Sequence, residues 1–177
     1  PEIMYNIRSG SQSAYPENFI EYNSKIYFKA DDQSKGSEMW VFDPANDASS
    51  TNPTRISDIR SGSGSGVSWT DHWLVWNNKL YFVGNDGITG DELYSYDGSS
   101  FTRVADIYTG GANNGSRPNY LTIYNDKLYF SAYTSTYNTE LWVYDGTNVS
   151  LVKDLAPTNT STGVNPAGFG WGGMAVY

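Results

Sequence analysis

The chain of 177 residues contains no cysteine and only one histidine, His72. The absence of cysteine excludes disulfides, thiolate metal sites and cysteine nucleophiles. A single histidine excludes a metal site built from several histidines within this chain. No nucleophile elbow of the Gly-x-Ser-x-Gly type accompanies His72, so the sequence gives no sign of a serine hydrolase.

Basic residues are also scarce, because 11 Lys and Arg stand against 19 Asp and Glu, which gives a formal net charge of −8. Nucleic-acid binding needs clustered Lys and Arg that neutralise phosphates. We therefore expect no nucleic-acid partner. No stretch approaches the ~20 consecutive apolar residues of a membrane helix, and we expect no membrane insertion.

Helical periodicity is absent too, and a set of short aromatic strings takes its place. The string Lys-Ile-Tyr-Phe at 25–28 recurs as Lys-Leu-Tyr-Phe at 79–82 and 127–130. Each copy is followed by a glutamate that opens a second apolar string, at Glu38, Glu92 and Glu140. Both series are spaced by 54 and then 48 residues, so the first unit is longer, in the segment 44–53. A fixed period predicts one supersecondary unit that is copied along the chain.

Four short strands are predicted in each unit. The first strands are 19–22, 73–76 and 121–124; the second are 26–30, 80–84 and 128–132; the third are 39–42, 93–96 and 141–144; the fourth are 54–59, 102–107 and 150–155. Asn23, Asn77 and Asn125 begin two-residue turns between the first two strands. Asn tolerates the positive φ that such hairpins demand.

The strands are apolar on both faces, as in Tyr81-Phe82-Val83, which is typical of a sheet covered on both sides. Such sheets, repeated every ~50 residues, predict an all-β fold: a β-propeller segment of three complete four-stranded blades plus orphan strands at both ends. Residues 1–177 form a single segment, with units of about 7–57, 58–105 and 106–153 and partial units 1–6 and 154–177. Three blades do not close a ring, so we expect the remaining blades from a parent chain or from other subunits.

The motif Glu-Leu-Trp-Val-Tyr-Asp-Gly at 140–146 resembles the ELWxxDGT repeat family of extracellular proteins. The Lys-Leu-Tyr-Phe string at 127–130 and the Leu-Val-Lys-Asp-Leu string at 151–155 match the wider pattern of that family. The resemblance covers essentially the whole chain. It implies a secreted or surface-displayed repeat region, often within large adhesion-like proteins, without a common enzymatic chemistry. The earlier units depart from the motif at Met39, Pro44, Tyr94 and Ser99.

Two carboxylates recur in every unit. Glu38, Glu92 and Glu140 open the third strands, and Asp58, Asp106 and Asp154 close the fourth. Paired carboxylates could serve as the acid and base of a glycoside hydrolase. Catalysis needs only one site, however, whereas all three units carry both residues. We interpret them as structural residues that hydrogen-bond loop backbone or a neighbouring blade.

The turns between second and third strands are rich in oxygen ligands in the first two units. The second of these turns, 85–92, offers Asn85, Asp86 and Asp91 around a glycine. Because Ca²⁺ binds about six to eight oxygens, these three residues are candidate calcium ligands. The alternative is a solvated turn.

The loops that join one unit to the next carry the remaining candidates, which are Trp69, His72, Tyr108, Arg117, Phe169 and Trp171. Aromatic rings among Gly, Ser and Asn suit stacking against sugar rings, although the same rings could pack between blades. We predict an extracellular or cell-surface interaction module, without enzymatic activity, that binds a glycan or a cell-surface or matrix protein. The alternatives are part of a propeller glycosidase or lyase, and a structural repeat of a surface layer or filament.

Overall fold

In a computed structural model of the chain, the residues described are 5–46, 52–69, 73–111 and 115–155. They form twelve β-strands and one 3₁₀ turn at Pro44–Asn46. The strands are β1 (Glu17–Tyr22), β2 (Lys25–Asp31), β3 (Ser37–Phe42), β4 (Thr54–Arg55), β5 (Leu74–Trp76), β6 (Lys79–Asn85), β7 (Asp91–Tyr96), β8 (Phe101–Arg103), β9 (Asn119–Tyr124), β10 (Lys127–Thr134), β11 (Asn138–Tyr144) and β12 (Val149–Lys153). No helix in this part of the chain is long and apolar enough to cross a membrane.

Each consecutive group of four strands forms one antiparallel sheet in sequence order: sheet 1 is β1–β4, sheet 2 is β5–β8 and sheet 3 is β9–β12. The prediction of an all-β fold with three four-stranded units is therefore confirmed. The first two strands of every sheet are joined by two residues of positive φ, at Asn23–Ser24, Asn77–Asn78 and Asn125–Asp126. This geometry lets a tight turn follow the right-handed strand twist, and the predicted turns are confirmed.

The fourth strands end earlier than predicted. β4 ends at Arg55, and β8 and β12 end at Arg103 and Lys153 rather than at residues 107 and 155. In sheet 1 the Ser57 hydroxyl accepts from the Met39 N–H at 2.7 Å, and Ile59 donates its N–H to Glu38 at 3.3 Å. After one further backbone bond, from the Ile56 N–H to the Met39 carbonyl at 2.9 Å, side-chain oxygens therefore replace backbone acceptors in sheet 1.

The predicted orphan strands are not seen in the described residues. Of the predicted amino-terminal partial unit 1–6, only residues 5 and 6 are described, and they lie in no strand. Residues 7–12 are bends, and the Ala14 carbonyl accepts from the Asp31 N–H at 2.9 Å. Residues 1–4 and 156–177, which hold the rest of the partial units, lie outside the described residues.

The three sheets pack face to face in sequence order. Tyr27 and Met39 of sheet 1 share one buried cluster with Leu80, Phe82 and Tyr94 of sheet 2. Tight aromatic and aliphatic packing of this kind excludes water from both facing sheets, which is the main source of stability available to a repeat fold.

Sheet 2 is covered on its other face by sheet 3. Tyr81 and Leu93 lie in a second buried cluster with Leu128, Phe130 and Ala132. Because successive strand residues point to opposite faces, Tyr81 contacts sheet 3 while its neighbour Phe82 contacts sheet 1. The first strands of sheets 2 and 3, β5 and β9, also approach each other.

Candidate functional site

Trp69 lies in the linker between sheets 1 and 2 and is held there by backbone pairing. Val67 forms an antiparallel bridge with Gly84, and Ser68 donates its N–H to the Val83 carbonyl at 3.0 Å. The Ser68 hydroxyl also donates to Asp91 at 2.7 Å. The residues just before Trp69 are therefore fixed against sheet 2, while Trp69 itself remains 68% exposed.

One face of the Trp69 ring is occupied by a buried cation. Lys29 Nζ lies 4.2 Å from the ring centroid, and Lys29 is only 1% exposed. The same ammonium lies 3.0 Å from the Glu17 carboxylate, its register partner across β1 and β2. A desolvated cation over a Trp face is worth up to about 2 kcal/mol, so Lys29 fixes the ring while most of the indole stays open to solvent.

This arrangement can bind a flat apolar surface next to polar groups. The exposed indole offers an aromatic face, and the partly exposed Glu17 carboxylate is tied to Lys29 beside it. Such a pairing of an apolar platform with polar neighbours suits a sugar ring, which has apolar C–H faces and hydroxyl edges. We call Trp69, Lys29 and Glu17 the Trp69 platform.

Lys29 and Glu17 were not identified from the sequence, although a signal was present. Lys29 occupies the position of Val83 and Ser131 in the other two repeats, between Phe28 and Ala30. A lysine inside an apolar strand is rarely fully buried unless it has a partner. This departure from the repeat indicated a local function for unit one.

The other candidate ligand residues have different immediate neighbours. Tyr108 packs edge-on against Tyr133, with ring centroids 5.4 Å apart. Arg117 has an exposed side chain, and its N–H donates to the Asp91 carbonyl at 3.0 Å. His72, Phe169 and Trp171 lie outside the described residues. Of the three candidates among the described residues, Trp69 has the geometry of a binding platform.

The candidate calcium ligands are engaged in hydrogen bonds within the turn. Asp86 accepts from the N–H groups of Ile88 and Thr89, at 2.8 Å each, and from Arg103 at 3.0 Å. Asn85 donates to Asp91 at 2.8 Å.

These hydrogen bonds organise the β6–β7 turn. Across residues 5–46, 52–69, 73–111 and 115–155, no group of three or more His, Asp or Glu side chains is placed to hold a metal ion. Calcium binding at Asn85, Asp86 and Asp91 stays a prediction.

The repeated glutamates are buried at the base of the linkers. Glu38, Glu92 and Glu140 are each 0% exposed. In each unit Oε2 accepts an N–H at 3.3 Å from the residue that follows the repeated aspartate; the donors are Ile59, Ile107 and Leu155. Burial keeps these carboxylates away from a substrate in solution, and the contacts fix the backbone where each fourth strand ends.

Glu92 also holds the linker to the next sheet. Ser116 donates its N–H to Glu92 Oε1 at 2.8 Å and its hydroxyl to Oε2. The Ser116 carbonyl in turn accepts from the Tyr133 N–H of sheet 3 at 2.7 Å. Ser116 therefore connects the buried carboxylate of one sheet to the backbone of the next.

The same junction occurs between sheets 1 and 2 with different residues. The Ser57 hydroxyl donates to Glu38, and the Gly66 carbonyl accepts from the Asn85 N–H at 2.9 Å. Burial raises the pKa of both Glu38 and Glu92, and the hydrogen bonds from Ser57 and Ser116 act in the opposite direction without cancelling it.

The repeated aspartates have more varied surroundings. Asp58 pairs with Lys35 at 2.6 Å. The Asp106 Oδ1 atom is buried without a hydrogen bond to any described residue. Asp154 immediately precedes Leu155, the donor to Glu140. The hydrogen bond that recurs in all three units is therefore accepted by the glutamates and not by the aspartates.

Comparison of the chain with protein-family models and with curated proteins found no match.

Proposed function

We propose that this chain is part of a β-propeller interaction module, displayed outside the cell, that binds carbohydrate through the Trp69 platform. The single observation behind the binding proposal is the exposed Trp69 ring, whose inner face rests on the buried Lys29 ammonium. A rigid aromatic ring binds at a low entropic cost, because it has little freedom to lose.

The propeller proposal is supported by the way the sheets are arranged. Three four-stranded sheets follow one another in sequence order, each covered by its neighbour. The approach of β5 to β9 is expected when first strands gather around an axis, as they do in propellers. The resemblance of residues 140–146 to a family of extracellular repeats supports the proposed location.

Carbohydrate is favoured over a protein partner because the platform is small. Among the described residues, its exposed apolar element is the Trp69 ring, with the acidic Glu17 beside it. A stable protein interface buries ~800 Å² on each partner, which is much more than one indole offers. A monosaccharide or the end of a glycan matches the dimensions of one ring.

A glycan array tests this proposal. The labelled chain is expected to bind a limited set of glycans. Trp69→Ala is expected to remove that binding while the protein still folds, with a free energy of unfolding lower by about 1–2 kcal/mol from the lost contact with Lys29. Tyr137→Ala is a matched control, because it removes a 38% exposed ring from the β10–β11 turn. Equal binding by wild type and Trp69→Ala, or no glycan bound by the wild type, would refute the proposal.

A further inference from the structure

The two junctions between sheets share a cluster of three aromatic rings. At the first junction, Tyr22 and Tyr27 of sheet 1 lie 6.4 and 5.8 Å from Tyr96 of sheet 2. At the second, Trp76 and Tyr81 lie 5.9 and 6.2 Å from Tyr144 of sheet 3. A pair of rings on one sheet thus meets a single ring on the next, at equivalent repeat positions.

A polar contact accompanies each cluster. Tyr22 donates its hydroxyl hydrogen to the Asn78 carbonyl at 2.8 Å, and Trp76 donates Nε1–H to Asp126 at 3.1 Å. In both cases the donor ends a first strand, and the acceptor is the second residue of the next hairpin turn. The two junctions therefore use one design despite different side chains.

Sheet 3 carries the first half of this arrangement, the pair of aromatic rings, on its outer face. Tyr124 and Tyr129 occupy the positions of Tyr22 and Tyr27, and their ring centroids are already 6.2 Å apart. The equivalent rings at the internal junctions are almost fully buried, at 3% for Tyr22 and 6% for Trp76, whereas Tyr124 is 55% exposed. We call this surface of sheet 3 the trailing face.

Sheet 1 carries the second half, the single ring and the second residue of the hairpin turn, on its own outer face. Phe42 occupies the position of Tyr96 and Tyr144, and Ser24 occupies the position of Asn78 and Asp126. Ser24, Ile26 and Pro44 line an open groove of about 470 Å³ with Phe19 at its side. A second groove of about 450 Å³ follows along Ile26, Phe28 and Phe42. We call this surface the leading face.

We propose that the leading face of sheet 1 binds the trailing face of sheet 3 of a second copy of this chain. Tyr124 of one copy enters the groove beside Ser24 and Pro44 of the other, and the pair Tyr124–Tyr129 packs against Phe42. The contact repeats the geometry of the two internal junctions and extends the same stack of sheets across two chains.

A second copy fits because one chain carries both halves of the junction. A contact between different faces of identical chains is a head-to-tail contact, which closes when the rotation permits. Two copies would then bury both faces of each chain in one ring of six sheets, within the ~4–8 blades of known propellers.

The mass of the 177-residue chain in solution, measured by light scattering or sedimentation, tests the proposal. We expect twice the 19.6 kDa of one chain. Tyr124→Asp places a charge on the trailing face, and Phe19→Asp places one on the leading face. Both side chains are exposed, at 55% and 62%, so folding should survive, and circular dichroism checks this. Each variant alone should associate more than about tenfold more weakly, the effect of losing a central aromatic anchor.

Mixing the two variants identifies the contact as head-to-tail. Tyr124→Asp keeps an intact leading face and Phe19→Asp keeps an intact trailing face, so one junction can form between them and the mixture should recover a dimer. Ile88→Asp, at a 71% exposed turn residue, should leave association unchanged. A wild-type monomer at all concentrations would overturn the proposal. So would a dimer that survives both substitutions, or a mixture that stays monomeric.

Discussion

Ser116 donates both its backbone N–H and its hydroxyl to the fully buried carboxylate of Glu92. The two residues are 24 positions apart, and one belongs to sheet 2 while the other leads into sheet 3. Because a carboxylate without partners is very costly in a protein interior, Glu92 depends on this linker residue. The linker in turn is held in the one position from which Ser116 also contacts Tyr133.

Replacing Ser116 by Ala should destabilise the protein substantially. The substitution removes one hydrogen bond to a buried charged group, which is worth about 1.5–3 kcal/mol. We expect a corresponding fall in the free energy of unfolding measured in urea. Ser99→Ala is the control, because the Ser99 hydroxyl donates to Asp97 on the exposed β7–β8 turn and should contribute less than ~0.5 kcal/mol. Equal losses for the two variants would contradict the assigned role of Ser116.

Stability should pass through a maximum in mild acid. The pKa values of Glu38 and Glu92 are raised above 4.5 by burial. Above pH 4.5 the folded protein therefore binds more protons at these groups than the unfolded chain does. As a result, the free energy of unfolding falls as pH rises through the folded-state pKa values.

The exposed turn aspartates set the acid side of the maximum. Hydrogen bonds from Ser99 and Ser100 hold the pKa of Asp97 below 3.8. The stability gained from its charged form is present above pH 3.8 and is lost as pH falls below that value. Urea unfolding at a series of pH values checks both sides. Glu92→Gln should flatten the decline above pH 4.5, and an unchanged decline in that variant would argue against burial of Glu92 as its cause.

Gly115→Ala should be among the most destabilising small substitutions. A Cβ at this position would lie 2.0 Å from the Asp91 backbone nitrogen, so linker and strand would have to separate. We expect a loss of about 3 kcal/mol or more, at or beyond the upper end for overpacking. Gly111→Asn is the control, because Gly111 has open space around it at a φ of +87° and Asn tolerates positive φ. Melting temperatures that fall equally would show that the close approach at Gly115 is unimportant.

Lys29→Met should weaken ligand binding more than it weakens folding. The variant keeps the length of the buried side chain but removes the charge beneath Trp69, and Glu17 is exposed enough to be hydrated. The lost contact between Lys29 and the Trp69 ring is worth about 1–2 kcal/mol. Without it the indole is free to leave the orientation in which it binds the ligand. Calorimetric titration with a glycan found on the array should show a higher Kd for Lys29→Met than for the control Lys79→Met, which alters an exposed residue of β6.

The repeat made the three four-stranded sheets predictable from the sequence. The features that were not predicted lie where one unit differs from the others or where distant residues meet. The recurrence of Glu38, Glu92 and Glu140, spaced by 54 and then 48 residues, predicted three equivalent sheets, because a buried side chain with fixed partners constrains sequence in the same way each time. The early end of β4 was missed, since the Ser57 hydroxyl accepts the hydrogen bond from the Met39 N–H, a contact that only the three-dimensional structure reveals. The partnership of Lys29 with Trp69 was missed for a similar reason, as the two residues are 40 positions apart in sequence.

The most direct test of the account compares Trp69→Ala with Glu92→Gln, because one residue is assigned to recognition and the other to the repeated scaffold. Glycan affinity and the free energy of unfolding are measured for both variants. We predict that Trp69→Ala loses glycan binding but still folds, with a free energy of unfolding lower only by the ~1–2 kcal/mol of its contact with Lys29, whereas Glu92→Gln loses stability and, while folded, binds with wild-type affinity. Wild-type affinity in Trp69→Ala, or lost affinity in a folded Glu92→Gln protein, would contradict the account.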